Sequence, residues 1–96
     1  MSDRWKQIEL IICRIFGGDR SGPVGKEGCD CTGTRPYAIQ VKHREVPQWL
    51  TAAMDQAAGD AGSDLATLVL HPKGAAPEDS LVVFRLRDFR AWYLSD

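Results

Sequence analysis

The 96-residue sequence contains no long hydrophobic run. Its longest apolar stretch near the start, IELIICRIF, is interrupted by Glu9 and Arg14 and falls far short of the roughly 20 residues that span a bilayer. No secretory leader pattern is read there, so no membrane association is expected. Cysteine is scarce and odd in number: Cys13, Cys29 and Cys31. With no export signal, that predicts a reducing, cytoplasmic setting, free thiols and no structural disulfide. Net charge is nearly absent, at -1, which is far from the frankly basic stripe of a tight nucleic-acid binder. Internal repeats and low-complexity tracts are missing too. The glycine-rich SGPVGKEG (residues 21–28) lacks both the P-loop spacing and the Ser or Thr after its lysine, so a nucleotide-hydrolase loop is excluded.

What is present is an ordinary globular composition, 44% hydrophobic and 26% charged, of a size that predicts a single domain over residues 1–96. A core this small makes homodimerisation a natural way to bury more surface. The charge is unevenly placed. Residues 20–44 carry five cations against two carboxylates, and residues 45–80 carry one lysine against six carboxylates. One part of the molecule can therefore attract an anion that the whole would not.

Trp5, Ile8, Ile12, Ile15 and Phe16 recur at spacings of three and four, predicting an amphipathic helix over residues 3–16 that stops at Gly17-Gly18. At 100° per residue Glu9 shares the arc of Trp5, Ile12 and Phe16, which aims a carboxylate inward. Residues 17–34 are turn-rich, with 29–32 the better candidate for a short strand. In YAIQVKHR (residues 37–44), Tyr37, Ile39, Val41 and His43 alternate with Ala38, Gln40, Lys42 and Arg44, the period of a strand with one polar face. Pro47 suits the first turn of a second helix running to Gly59. LATLVL (65–70) is unbroken apolar and predicts a central strand covered on both faces. Residues 80–86 predict another strand, and Asp88 caps a terminal helix through Leu94. Its Phe89, Trp92 and Tyr93 belong either to the core or to a dimer interface. The class is α/β, in the order α-β-β-β-α-β-β-α, around a central mixed sheet flanked by helices.

Asp30 lies between Cys29 and Cys31 and faces away from both on a strand, and a hairpin would lay Gln40 and Lys42 beside it. An aspartate with a neighbouring oxygen ligand suits Mg²⁺, and a lysine beside that metal can orient its water or hold charge on a phosphate. The alternatives are plain. Gln40 and Lys42 can be the wet face of an edge strand, and Glu9 can be salt-bridged to Lys42 or Arg44, or sit at a rim. Cys29, Cys31 and Cys13 with His43 or His71 form a conceivable zinc set, although buried thiols suit the C-x-C spacing better. HPKG (71–74) places Lys73 at a strand end, where a simple turn accounts for it.

Asp30, the following strand and Gln40-Val41-Lys42 resemble the PD-(D/E)XK nuclease superfamily, whose motif is an acidic residue, a hairpin, and then (E/D/Q)-x-K on the next strand. The helix carrying Glu9 resembles that family's first helix, and the small size and VKHR look most like its archaeal and phage Holliday-junction-resolvase branch. The resemblance implies a restriction-endonuclease-like core and a Mg²⁺-dependent endonuclease, with Mn²⁺ as a substitute, acting on branched DNA as a homodimer in a bacterial, archaeal or virus-infected cell. It implies Asp30 and Gln40 as metal ligands with the Val41 carbonyl, Glu9 as an auxiliary acid and Lys42 as the catalytic lysine. Arg20, Ser21, Lys26, Arg35, His43 and Arg44 would lie along the DNA. A catalytically silent nuclease-like fold that binds DNA or protein is the alternative.

Overall fold

A computed structural model of the chain describes residues 4–21 and 29–94. The chain forms two compact units, Met1–Arg44 and Glu45–Asp96, each described on its own terms below. Among the described residues no helix is long and apolar enough to cross a membrane.

In the first unit, α1 (Arg4–Ile15) turns Glu9 and Cys13, four residues apart, onto its buried face, with Ile8, Ile12 and Phe16 flanking them half-buried. The inward position of Glu9 agrees with the helical arc. The helix ends through its two glycines. Gly17 sits at φ +91°, its N–H donates to the Arg14 carbonyl at 3.0 Å, and the Gly18 N–H donates to the Cys13 carbonyl at 3.0 Å. That pair of bonds is a Schellman cap, which closes orphan carbonyls at a position only glycine enters cheaply. The chain returns as β1 (Asp19–Arg20), antiparallel to β2 (Cys31–Thr32), with Asp19 opposite Thr32 and Arg20 opposite Cys31. Gly18 passes so close that a Cβ would lie 2.0 Å from the Thr32 carbonyl oxygen. Both short strands pack on α1. Cys13 and Cys31 are joined in a disulfide with Cα atoms 5.3 Å apart, within the usual range for such a bond. The expectation of free thiols is thereby corrected for this pair, and Cys29 remains a free, half-buried thiol.

After β2 the chain turns through the cis Arg35–Pro36 peptide. Buried Thr34 is satisfied there, its Oγ1 donating to the Tyr37 carbonyl at 2.7 Å, and Tyr37 stacks on Phe16 with ring centroids 5.5 Å apart. Residues 37–44 do not form the predicted strand. They keep its alternation only as far as Lys42, with Tyr37, Ile39 and Val41 half-buried and Ala38, Gln40 and Lys42 exposed, while His43 is exposed. Beyond the turn at Tyr37, Ile39 and Val41 are both docked on one residue, Asp30, and a regular ladder needs a series of partners.

In the second unit, α2 (Gln48–Ala61) starts after Pro47, whose carbonyl accepts the Leu50 N–H at 3.0 Å. It runs through Gly59, where a stop was expected, and ends at Gly62, φ +59°. Glycine inside a helix costs only about 1 kcal/mol, and the positive φ at Gly62, three residues further on, is what ends it. Leu50, Ala53, Met54, Ala57 and Ala61 form its less exposed stripe, with Met54 buried, and the helix packs on β3 (Leu68–Leu70). β3 pairs antiparallel with β4 (Leu81–Val83), Val69 opposite Val82. A single 3₁₀ turn, Pro77–Asp79, lies between them. A short helix α3 (Leu86–Phe89) continues as a π-helical turn, Arg90–Leu94. It begins at Leu86 rather than behind Asp88, because the Arg85 carbonyl accepts the N–H groups of both Asp88 and Phe89 at 3.0 Å.

The fold differs from the predicted restriction-endonuclease-like core. Two separate two-stranded antiparallel sheets, β1-β2 and β3-β4, stand in place of a central mixed sheet. The LATLVL run contributes only three residues to a strand, and Val69 is 57% exposed, as are Leu81 and Val82 to a similar degree. An apolar run signals a strand that can be covered on both faces, but it carries no information about which strands arrive to cover it. Phe89 is half-buried between Phe84 and Tyr93, at 5.5 and 5.0 Å. Trp92 and Tyr93 are more than half exposed, so they lie outside the core.

Candidate functional site

The first unit holds a cleft of about 580 Å³ between the start of α1 and residues 41–44. One wall is Arg4, Trp5, Ile8 and Glu9, each a helical step or turn apart. The other is Val41, Lys42, His43 and Arg44. Three basic side chains, Arg4, Lys42 and Arg44, and a single carboxylate, Glu9, therefore line it.

The carboxylate of Glu9 is matched. Arg20 donates from Nε to Glu9 Oε1 at 2.5 Å, the glutamate side chain 9% and the arginine 29% exposed. A buried carboxylate needs such a partner. Sequence reading looked for that cation in Lys42 or Arg44; the structure supplies Arg20, because the Schellman turn folds β1 straight back along α1. The same guanidinium lies 5.7 Å from the centroid of the Trp5 ring, within cation–π reach. Arg20 is thus engaged by Glu9 and lies beside Trp5, two residues that line the cleft.

Asp30 holds the second wall. Its carbonyl accepts the Ser21 N–H and its N–H donates to the Ile39 carbonyl, both at 2.9 Å. Its carboxylate Oδ2 accepts the Val41 N–H at 2.5 Å. The Asp30 carboxylate thus meets the Val41 backbone through one side-chain bond in place of a hairpin, while the side chains of Gln40 and Lys42 are exposed and the cleft lining contains Lys42 but neither Asp30 nor Gln40. Lys42, Val41 and Glu9 open onto one cleft, with His43 and Arg44 beside them, while Gln40 is exposed next to Val41.

The remaining expected residues lie elsewhere. Ser21 donates its hydroxyl to the Cys29 carbonyl at 3.2 Å. Arg35 is exposed at the turn after Thr34, and Lys26 lies outside the described residues. His71 bonds the Ala75 carbonyl at 2.7 Å within the turn closed by Ala75 N–H on the Pro72 carbonyl, so HPKG is a strand-ending turn. The disulfide removes Cys13 and Cys31 from any zinc set. Among the described residues no three His, Cys, Asp or Glu side chains come together in a way that would hold a metal. Three cleft residues escaped sequence reading as site residues, Arg4, Trp5 and Ile8. Trp5 was absorbed into the apolar stripe, although its i, i+4 spacing from Glu9 places both on one line of the helix.

Comparison of the chain with protein-family models, with curated proteins and with solved structures finds no match.

Proposed function

We propose that the first unit binds DNA through its cationic cleft and hydrolyses the phosphodiester backbone there, as a metal-dependent endonuclease. The observation that carries this reading is the Asp30 Oδ2 bond to the Val41 N–H. It fixes a carboxylate at the Gln40-Val41-Lys42 peptide, whose lysine opens onto the same cleft as Glu9. Asp30, the Gln40 side-chain oxygen and the Val41 carbonyl are all hard oxygen donors, a sparse set of the kind Mg²⁺ accepts while keeping several waters. Bound there, the metal would polarise a phosphoryl oxygen and acidify a water.

The chain's own residues have separate parts in this scheme. Arg4 and Arg44 hold backbone phosphates on either wall, two guanidinium forks that register the strand without reading bases. Lys42 holds charge on the attacked phosphate. Arg20 holds Glu9 in place through their ion pair. Two copies acting together would suit a two-fold branched substrate.

The test is a labelled four-way junction and a matched linear duplex, incubated with Mg²⁺, Mn²⁺ or EDTA, beside Asp30→Asn and Lys42→Ala. Metal-dependent nicks lost in both variants support the reading, and undiminished cutting by Asp30→Asn removes it. A second reading, a module that binds DNA or protein without cutting, is favoured by one observation: Glu9 is already engaged by Arg20. Binding with no nick in either metal selects it.

A further inference from the structure

We propose that the Cys13–Cys31 disulfide is the tether that assembles this cleft, so that reduction by a dithiol releases nucleic acid. The inference rests on the cleft being a nucleic-acid site. Cys13 lies one helical turn beyond Glu9 on α1, which is the first wall. Cys31 is bonded in sequence to Asp30, which holds Val41 of the second wall and Ile39 just before it. The sulfur bridge therefore links the two walls through four residues: Cys13, Cys31, Asp30 and Val41.

Among the described residues the other links are non-covalent: the two-pair β1-β2 ladder, the Ser21 N–H bond to the Asp30 carbonyl on a strand held to α1 by the Glu9–Arg20 pair, and the Phe16–Tyr37 ring contact. The buried residues of this unit, among those described, are Glu9, Cys13, Cys31 and Thr34. Half of them are the disulfide itself, so the bridge is also most of the apolar core. Closing a loop of the length between Cys13 and Cys31, a sequence separation of 18, favours the folded state by on the order of 100-fold. Reduction breaks the S–S bond and gives each sulfur one proton and one electron, while the dithiol closes to its own cyclic disulfide. The bond is shielded, with Cys13 at 0% and Cys31 at 5% exposure, so reduction requires α1 to lift and is slow. Cys29 takes no part in the bridge and supplies the control.

The experiment measures fluorescence anisotropy of a labelled four-way junction with the full chain in EDTA, oxidised, then reduced by dithiothreitol, then reoxidised after its removal. Hydrogen exchange by mass spectrometry follows α1 and peptides covering residues 39–44 in the same three states. The expected result is at least a 10-fold loss of affinity on reduction that returns on reoxidation. Cys29→Ser should behave as wild type, and Cys13→Ala/Cys31→Ala should bind like the reduced protein in both states. Equal affinity in the oxidised and reduced states overturns the proposal, as does a loss that reoxidation fails to restore. Labelling of three thiols instead of one, when the unreduced chain is denatured and alkylated, overturns it as well. Absence of binding in every state counts against the nucleic-acid reading. In that case exchange decides the tether: faster exchange in α1 and 39–44 on reduction upholds it, and unchanged exchange overturns it.

Discussion

Removing Arg20 should destabilise the first unit more than removing Arg20 and Glu9 together. The glutamate side chain is 9% exposed and its carboxylate accepts from Arg20 Nε at 2.5 Å. Arg20→Ala leaves that carboxylate with little water and without the cation it is paired to. Losing one partner of a fully buried pair costs about 3–5 kcal/mol. Because the arginine is 29% exposed, water enters part of the vacated space, and the expected cost falls to roughly 2–3 kcal/mol. Glu9→Ala is milder, about 1 kcal/mol, since the guanidinium keeps its place 5.7 Å from the Trp5 ring and can turn to solvent. The double variant carries no unmatched charge and should also lose about 1 kcal/mol. It is then more stable than Arg20→Ala alone, with a coupling energy of about 2 kcal/mol.

The assay is urea and thermal unfolding of the oxidised protein, followed by Trp5 fluorescence in a Trp49→Phe/Trp92→Phe background. Those two tryptophans are 60% and 55% exposed, so their replacement disturbs little packing. Arg20→Ala should lower the Trp5-reported transition by roughly 10–20 °C, at about 4–8 °C per kcal/mol for a domain of this size. The reasoning is refuted if the two single losses add to the double within about 0.5 kcal/mol, because the carboxylate would then not be buried and dependent on its partner.

Three further outcomes follow from single residues. Gly18→Ala should cost more than about 2 kcal/mol in chemical denaturation, since its Cβ would meet the Thr32 carbonyl oxygen at 2.0 Å and the Gly33 backbone at 2.9 Å, neither the end of a flexible side chain. Lys42→Ala should lower cleavage by roughly 100-fold or more while leaving the melting temperature within about 1 °C, because its side chain is exposed. Met54→Ala, at the buried centre of the α2 stripe with 5% exposure, should cost about 2–3 kcal/mol and leave junction binding by the first unit unchanged in an anisotropy titration.

The sequence was most legible where the cause of structure is local. The i, i+3, i+4 pattern from Trp5 to Phe16 produced α1, the Gly17-Gly18 pair its cap, and 100° geometry the inward turn of Glu9. Pro47 marked the start of α2. Legibility ended at partners distant in sequence. LATLVL announced a strand, but its company depends on where the other strands are carried, and β3 received only β4. Arg20 became the counter-ion of Glu9 only because the cap sends β1 back along α1. The disulfide shows the same limit. Three cysteines with a C-x-C pair allow several bonds or none, and the choice is made by which Cα atoms approach to bonding distance, here Cys13 and Cys31 at 5.3 Å. Segment 37–44 is the intermediate case: its alternation was read and is visible in burial up to Lys42, yet alternation alone does not create a ladder.

Asp30 is where the architecture and the proposed chemistry meet. Its carbonyl and N–H place it between Ser21 and Ile39, so its backbone does the work of a strand on both sides. The carboxylate then does what a backbone group would do in a regular hairpin, by accepting the Val41 N–H. A neutral asparagine can still accept that bond, whereas alanine cannot. Asparagine therefore removes the charge and keeps the wall, while alanine removes both. That difference separates the two demands on one side chain: loss of cutting with Asp30→Asn speaks to the charge at the Gln40-Val41-Lys42 peptide, and the additional loss of binding with Asp30→Ala speaks to the wall it holds in place.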